Sequence, residues 1–183
     1  MRKLFIVFCS IFLLLVGCNT GTKNETAGSD TTTSNTAGTS NSQESKEERN
    51  KQIAMESVQG LLSRSADVAL KNADPNSVDY YDGSGPPMKG VDSIKAGMNM
   101  WLGNMQDYKG ENLEAIADGD KVMVYGDWSG TFKGDFMGMK TAGKKFKAKD
   151  VDIFTFNDAG KITEHRSVQS IAGMMATMGD GNK

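Results

Sequence analysis

The side chains able to do chemistry are few. Asp82 opens the loop Gly83-Ser84-Gly85-Pro86-Pro87, where an aspartate either forms the turn or serves as a catalytic base. Asp152 falls in the run Lys145–Phe156, and strand alternation places it on one face with Phe154 and Phe156. A carboxyl there is costly unless it is protonated or paired. Lys149 and Arg166 are candidate partners, and catalysis is the other reading. His165 is the only histidine. It is either an acid/base group or a hydrogen-bonded structural residue, and alone it cannot build the usual zinc site. The 12 methionines offer soft ligands for Cu(I). Met also fills irregular cores and lines adaptable pockets, which is the stronger reading. No metal and no cofactor is expected. Tyr80, Trp101, Tyr125, Trp128, Phe154 and His165 are the candidate lining of a pocket for an apolar or aromatic small molecule.

The elements that must position these residues can be read from spacing. Ser45-Lys46-Glu47-Glu48 has the form of a capping box. Ala54, Val58, Leu61, Leu62 and Ala69 then recur at helical spacing, with a break near Ser65–Asp67. Asp74-Pro75-Asn76 stops the helix, and Val78–Tyr81 reads as a short strand. A second helix starts near Asp92 and carries Ile94, Met98, Trp101, Leu102 and Met105 on one face. From about Glu111 the pattern changes to strands. Asp118-Gly119-Asp120 is a hairpin signal, after which Val122, Val124, Trp128 and Phe132 alternate with Met123, Tyr125, Asp127 and Thr131. A glycine-rich loop spans 133–143, Asn157-Asp158-Ala159-Gly160 forms a second turn, a last strand covers 161–170, and a short tail covers 171–178. Helices followed by long antiparallel strands predict an α+β fold with the N-terminal helices on one sheet face.

The beginning of the chain is of another kind. Arg2 and Lys3 precede an apolar run from Leu4 to Val16 that is too short to span a bilayer. The sequence Leu15-Val16-Gly17-Cys18 resembles a bacterial lipobox. That resemblance implies cleavage before Cys18 and a lipid on its sulfur, which would hold the protein outside the cytoplasm at a membrane. Residues 19–44 are mostly Thr, Ser, Asn and Gly, with Ala27 and Ala37 the only apolar side chains, so a disordered tether is expected. Its mean reach would be on the order of 25–30 Å. The expected organisation is a signal peptide over 1–17, a tether over 18–44 and a folded domain over 45–183. The only cysteines are Cys9 and Cys18, so the mature domain has no disulfide and depends on its core. Net charge is −2 for the whole chain, with no basic face beyond the lysines of one strand, which argues against a nucleic-acid partner.

The run Val151-Asp152-Ile153-Phe154-Thr155-Phe156-Asn157-Asp158-Ala159-Gly160-Lys161-Ile162-Thr163-Glu164-His165 resembles the closing hairpin of the SnoaL-like polyketide cyclases and of the ketosteroid isomerases. Gly130-Thr131 before Gly134 resembles their mid-strand Gly-Thr-His-x-Gly. Tyr81-Asp82-Gly83 before Gly90-Val91-Asp92-Ser93-Ile94 resembles their acidic turn into the second helix. The resemblance implies the cone-shaped α+β barrel of nuclear transport factor two, a curved sheet packed on the N-terminal helices with a deep apolar pocket. From the isomerases it implies a base at Asp82, a protonated acid at Asp152 and a tyrosine donor at a position falling near Val58. From the cyclases it implies a histidine where Phe132 stands and a base near Gln169 and Ser170. Neither set is complete. The expected function is therefore binding of an apolar small molecule without catalysis. The alternatives are a weak isomerase or cyclase using Asp82 and Asp152, and a scaffold forming a homodimer.

Overall fold

The computed structural model describes residues 36–178. Ten elements follow one another: α1 (Thr36–Leu62), α2 (Ala66–Ala69), β1 (Ala73–Asp79), β2 (Met88–Lys89), α3 (Val91–Asn104), β3 (Met105–Asp118), β4 (Lys121–Phe132), β5 (Lys145–Phe156), β6 (Ile162–Ser167) and α4 (Ile171–Ala176). The strands form one sheet in the order β2-β1-β6-β5-β4-β3. The architecture is α+β with a curved sheet, as expected. The sheet is open, with β2 and β3 at its edges, and one of its pairings, β1 with β6, is parallel.

Two local rules shape the sheet. Alternation along β4 sends Val122, Val124, Trp128 and Phe132 inward, each 5 % exposed or less. The curvature comes from β3. Its register against β4 shifts between Gln106 and Lys109 and again between Glu111 and Glu114. Asp107 and Asn112 sit in those gaps with φ of 54° and 53°. Such bulges bend the strand that carries them and increase its twist.

The first helix differs from its expected start. It begins at Thr36, nine residues before the proposed cap, so Ser45 is interior and its hydroxyl donates back to the Ser42 carbonyl. Residues 36–44, expected in the tether, belong to this helix. Glu48, the carboxylate of the expected box, instead meets Lys51 at 2.6 Å. The Glu47 carboxylate accepts the Gly119 N–H of the β3–β4 turn at 2.9 Å, while Gln43 reaches it one turn earlier at 2.9 Å. Lys46 meets Asp158 of the β5–β6 turn at 2.8 Å. Both hairpin turns are thus fastened to α1. Residues 1–35, with the expected signal and Cys18, lie outside the described residues. Among the described residues no helix is long and apolar enough to cross a membrane.

Asp74-Pro75-Asn76 ends the helical region as expected but is itself part of β1. Proline is tolerated there because β1 pairs little at that position: its register against β6 jumps from Ala73 to Val78. The tail forms α4, capped by the Ser170 hydroxyl, which accepts from the Gly173 N–H.

The core is dominated by rings. Trp101 of α3 stands edge-on to Tyr108, Phe132 and Phe136 at centroid distances of 5.9, 5.8 and 5.5 Å. Phe132 also touches Phe146 at 5.8 Å, and Trp128 stacks on Tyr108 at 5.8 Å. Edge-on and offset contacts at these distances suit the ring quadrupole. From α1, Ala54 and Val58 join this core.

Candidate functional site

Away from the rings, α1, α2 and α3 part from β1, β5 and β6 and leave a cavity of about 60 Å³. Its walls are largely apolar: Val58, Leu61, Leu70, Ile94, Met98 and Phe154 among them. Its polar wall is one connected group. The His165 ring lies between two carboxylates, with Nδ1 3.1 Å from Asp79 Oδ1 and Nε2 3.1 Å from Asp152 Oδ1. Both ring nitrogens can donate at once only in the imidazolium form.

Sheet register builds this arrangement. Parallel pairing sets Asp79 opposite His165, and antiparallel pairing sets Phe154 opposite His165 on the other side. The side chains of Asp79, His165 and Asp152 are 4, 23 and 13 % exposed. Asp79 Oδ1 also accepts the Tyr81 N–H at 2.9 Å. Burial alone would push the imidazolium to lower pKa. The Asp79 charge, and hydrogen bonds to Asp152 and Asp79, override it and hold His165 up at about 10. The two carboxyls diverge. Asp152 is pushed up by burial, only partly offset by His165. Asp79 is held below the usual carboxylate value, because the His165 charge and hydrogen bonds outweigh its burial.

The remaining neighbours explain themselves. The Ser77 hydroxyl donates to the Ile162 carbonyl at 2.6 Å. The Tyr81 hydroxyl lies against Met88 Sδ at 2.8 Å and over Gly97; a Cβ on Gly97 would come within 2.4 Å of that oxygen. Burial and the Asp79 charge raise the Tyr81 phenol to about 12. Burial first, then the Asp152 charge, also raise the Tyr108 phenol.

Of the residues expected at the site, Asp152, Phe154 and His165 line the cavity. Asp82 does not. Its carboxylate accepts the Ser84 N–H and hydroxyl at 2.9 and 2.6 Å and the Ile171 N–H at 3.0 Å, joining its loop to α4 as a turn former. Trp101 and Trp128 belong to the ring core, where they fill space rather than line it. Trp128 also borders an open depression, beside Glu111, Asp127, Lys147 and Lys149. Its buried indole N–H has no partner among the described residues. Tyr80 faces the Arg166 guanidinium, 4.0 Å from its ring centre. The Tyr125 hydroxyl accepts from Lys149 at 2.8 Å. The two expected partners of Asp152 are engaged elsewhere, Lys149 with Asp127 at 2.5 Å and Arg166 near Glu164 at 3.7 Å. Asp79 was not foreseen. Its only sequence signal is a carboxylate ending a short strand, and the pairing that gives it meaning joins residues 86 apart. Among the described residues no group of three or more His, Cys, Asp or Glu is placed to hold a metal ion.

The sequence model of the SnoaL-like polyketide cyclases matches residues 54–178. No curated protein matches the chain. Among solved structures, a SnoaL-like polyketide cyclase assignment from Jannaschia sp. CCS1 superposes with a TM-score of 0.65 at 19 % identity, covering 74 % of this chain and 95 % of that one. A ketosteroid isomerase-like fold from Catenulispora acidiphila, in complex with trimethylamine, gives 0.57 at 14 % identity, covering 68 % and 90 %. A steroid delta-isomerase from Pseudomonas aeruginosa gives 0.50 at 18 % identity, covering 70 % and 85 %. At these identities the likeness shows the fold.

Proposed function

Since the chain belongs to the SnoaL-like polyketide cyclase family, we propose that it is a membrane-tethered, extracytoplasmic binding module for a small, mainly apolar molecule. The observation that carries this reading is the cavity, apolar on most sides, with Asp79, His165 and Asp152 joined on its polar wall and Glu164 beside them. Its volume sharpens the expected ligand. Pockets for drug-sized molecules measure roughly 300–1,000 Å³. This one, at about 60 Å³, suits a body of about four to six heavy atoms, since one water-sized sphere takes roughly 10–15 Å³. Trimethylamine, held by the Catenulispora relative, is of that size. A large aromatic ligand would need the ring core to open.

The tether belongs to the proposal through Cys18 and its lipobox-like context. Cys18→Ser should release the protein from membranes or leave it uncleaved. A mature terminus elsewhere than Cys18, or one without lipid mass, overturns the anchor. For the pocket, the purified full chain is titrated with compounds of rising size while the signal of its single histidine is followed by NMR. Saturable shifts are expected for small members and none for steroid-sized ones. If no small compound moves the signal, the pocket reading falls.

One observation favours a second reading, proton transfer next to a carbonyl. Two carboxyls at one cavity with pKa values driven in opposite directions are the usual arrangement for acid and base work at one pH. In that reading the acid is Asp152, and Asp82 takes no part. Isomerisation of a small β,γ-unsaturated ketone above the buffer rate, lost in Asp152→Ala, would establish it; a rate equal to buffer removes it.

A further inference from the structure

The polar wall of the cavity is short of positive charge. Asp79 and Asp152 share one cation, His165, and both of its nitrogens are spent on them. Every hydrogen bond to the two carboxylates falls on Oδ1: His165 and the Tyr81 N–H on Asp79, His165 on Asp152. Among the described residues neither Oδ2 has a donor, and neither is fully sealed from solvent. The neighbouring elements do not make up the deficit. β5 adds Asp150, whose oxygens take Ser167, Val168 and Gln169. β6 adds Glu164 to the lining, a further carboxylate, with Arg166 no nearer to it than 3.7 Å. β3 adds the Tyr108 phenol, and α1, α2 and α3 present only Ser57 and apolar side chains.

We propose that the cavity takes a small organic ammonium ion, its apolar body against Val58, Leu61, Ile94 and Met98 and its positive head between the free oxygens of Asp79 and Asp152. A carbonyl or carboxylate ligand would find acceptors facing acceptors. An alkylammonium ion supplies donors to both Oδ2 atoms and the missing charge, and a quaternary head supplies the charge alone.

This rests on the pocket reading and is separable from it. The purified full chain is titrated with tert-butylammonium and with tert-butanol, which share shape and size and differ in charge. The histidine signal and calorimetry report binding. The ammonium should bind about tenfold or more tighter, worth about 1.4 kcal/mol. Asp152→Asn should erase the preference for the ammonium over the alcohol. Equal or weaker binding of the ammonium by the wild type overturns the inference while the pocket stands. Binding of neither overturns both. If Asp152→Asn does not fold, the wild-type pair of ligands decides the matter alone.

Discussion

The two ends of this sheet's inner face solve opposite problems. Under β3 and β4, Trp101, Tyr108, Trp128, Phe132 and Phe146 close the space with rings, and Phe132 is 0 % exposed. Under β1, β5 and β6 the helices leave a cavity, and its wall carries Asp79, His165 and Asp152 in a row with Glu164 beside them. The first region gives stability and offers no site. The second gives up packing and holds charge away from water, which proteins seldom do without a use. Large aromatic residues mark the filled end of the fold, and modest ones line its cavity.

This contrast can be broken by mutation. Phe132→Ala should have the largest effect, a loss of about 3–5 kcal/mol in denaturant unfolding, because it opens a void between Trp101, Phe136 and Phe146. Loss below about 1 kcal/mol would mean the ring region is loosely packed. Next comes His165→Gln. Removing the shared cation leaves two carboxylates facing each other, and about 3 kcal/mol or more of stability should go, the scale for breaking a buried ion pair. The two variants should differ in pH dependence. His165 has a folded pKa of about 10, above its ordinary 6.5. Its contribution is therefore complete below about pH 6.5 and is lost as pH rises toward 10. Wild type and Phe132→Ala should both weaken across that window, and His165→Gln should be flatter. Parallel curves for all three would remove the charge from His165.

Smaller effects sharpen the same contrast. Trp128→Phe should cost only about 1 kcal/mol, because the indole N–H has no partner to lose and much of the ring stacking on Tyr108 survives. It should leave ligand shifts at His165 unchanged, whereas altered binding would return Trp128 to the pocket. Asp82→Ala should cost least, about 0.5–1 kcal/mol for lost turn and Ile171 hydrogen bonds, again with binding intact.

How far the chain disclosed this depends on whether the relevant contacts are local. The period of two in 122–132 is local, and so is the Asp118-Gly119-Asp120 turn; both stand where the sequence places them. Asp152 was legible as a carboxyl on an apolar face for the same reason. Its partner was not, since His165 comes to it across a hairpin whose register no single strand reveals. Asp79 was invisible because its partner lies on a parallel neighbour reached only after four intervening strands. The tryptophans were assigned to the pocket because composition cannot separate a ring that fills from a ring that lines. The start of α1 was missed because Ser45 and Glu48 have the spacing of a capping box, while in the fold Ser45 lies inside the helix and Glu48 pairs with Lys51.

The most direct test is an NMR titration of the one histidine in the purified full chain. A ring bracketed by Asp79 and Asp152 should stay doubly protonated through neutral pH and titrate near 10. A midpoint near the ordinary 6.5 would show that His165 is not held between the two carboxylates, and the site described here would not exist.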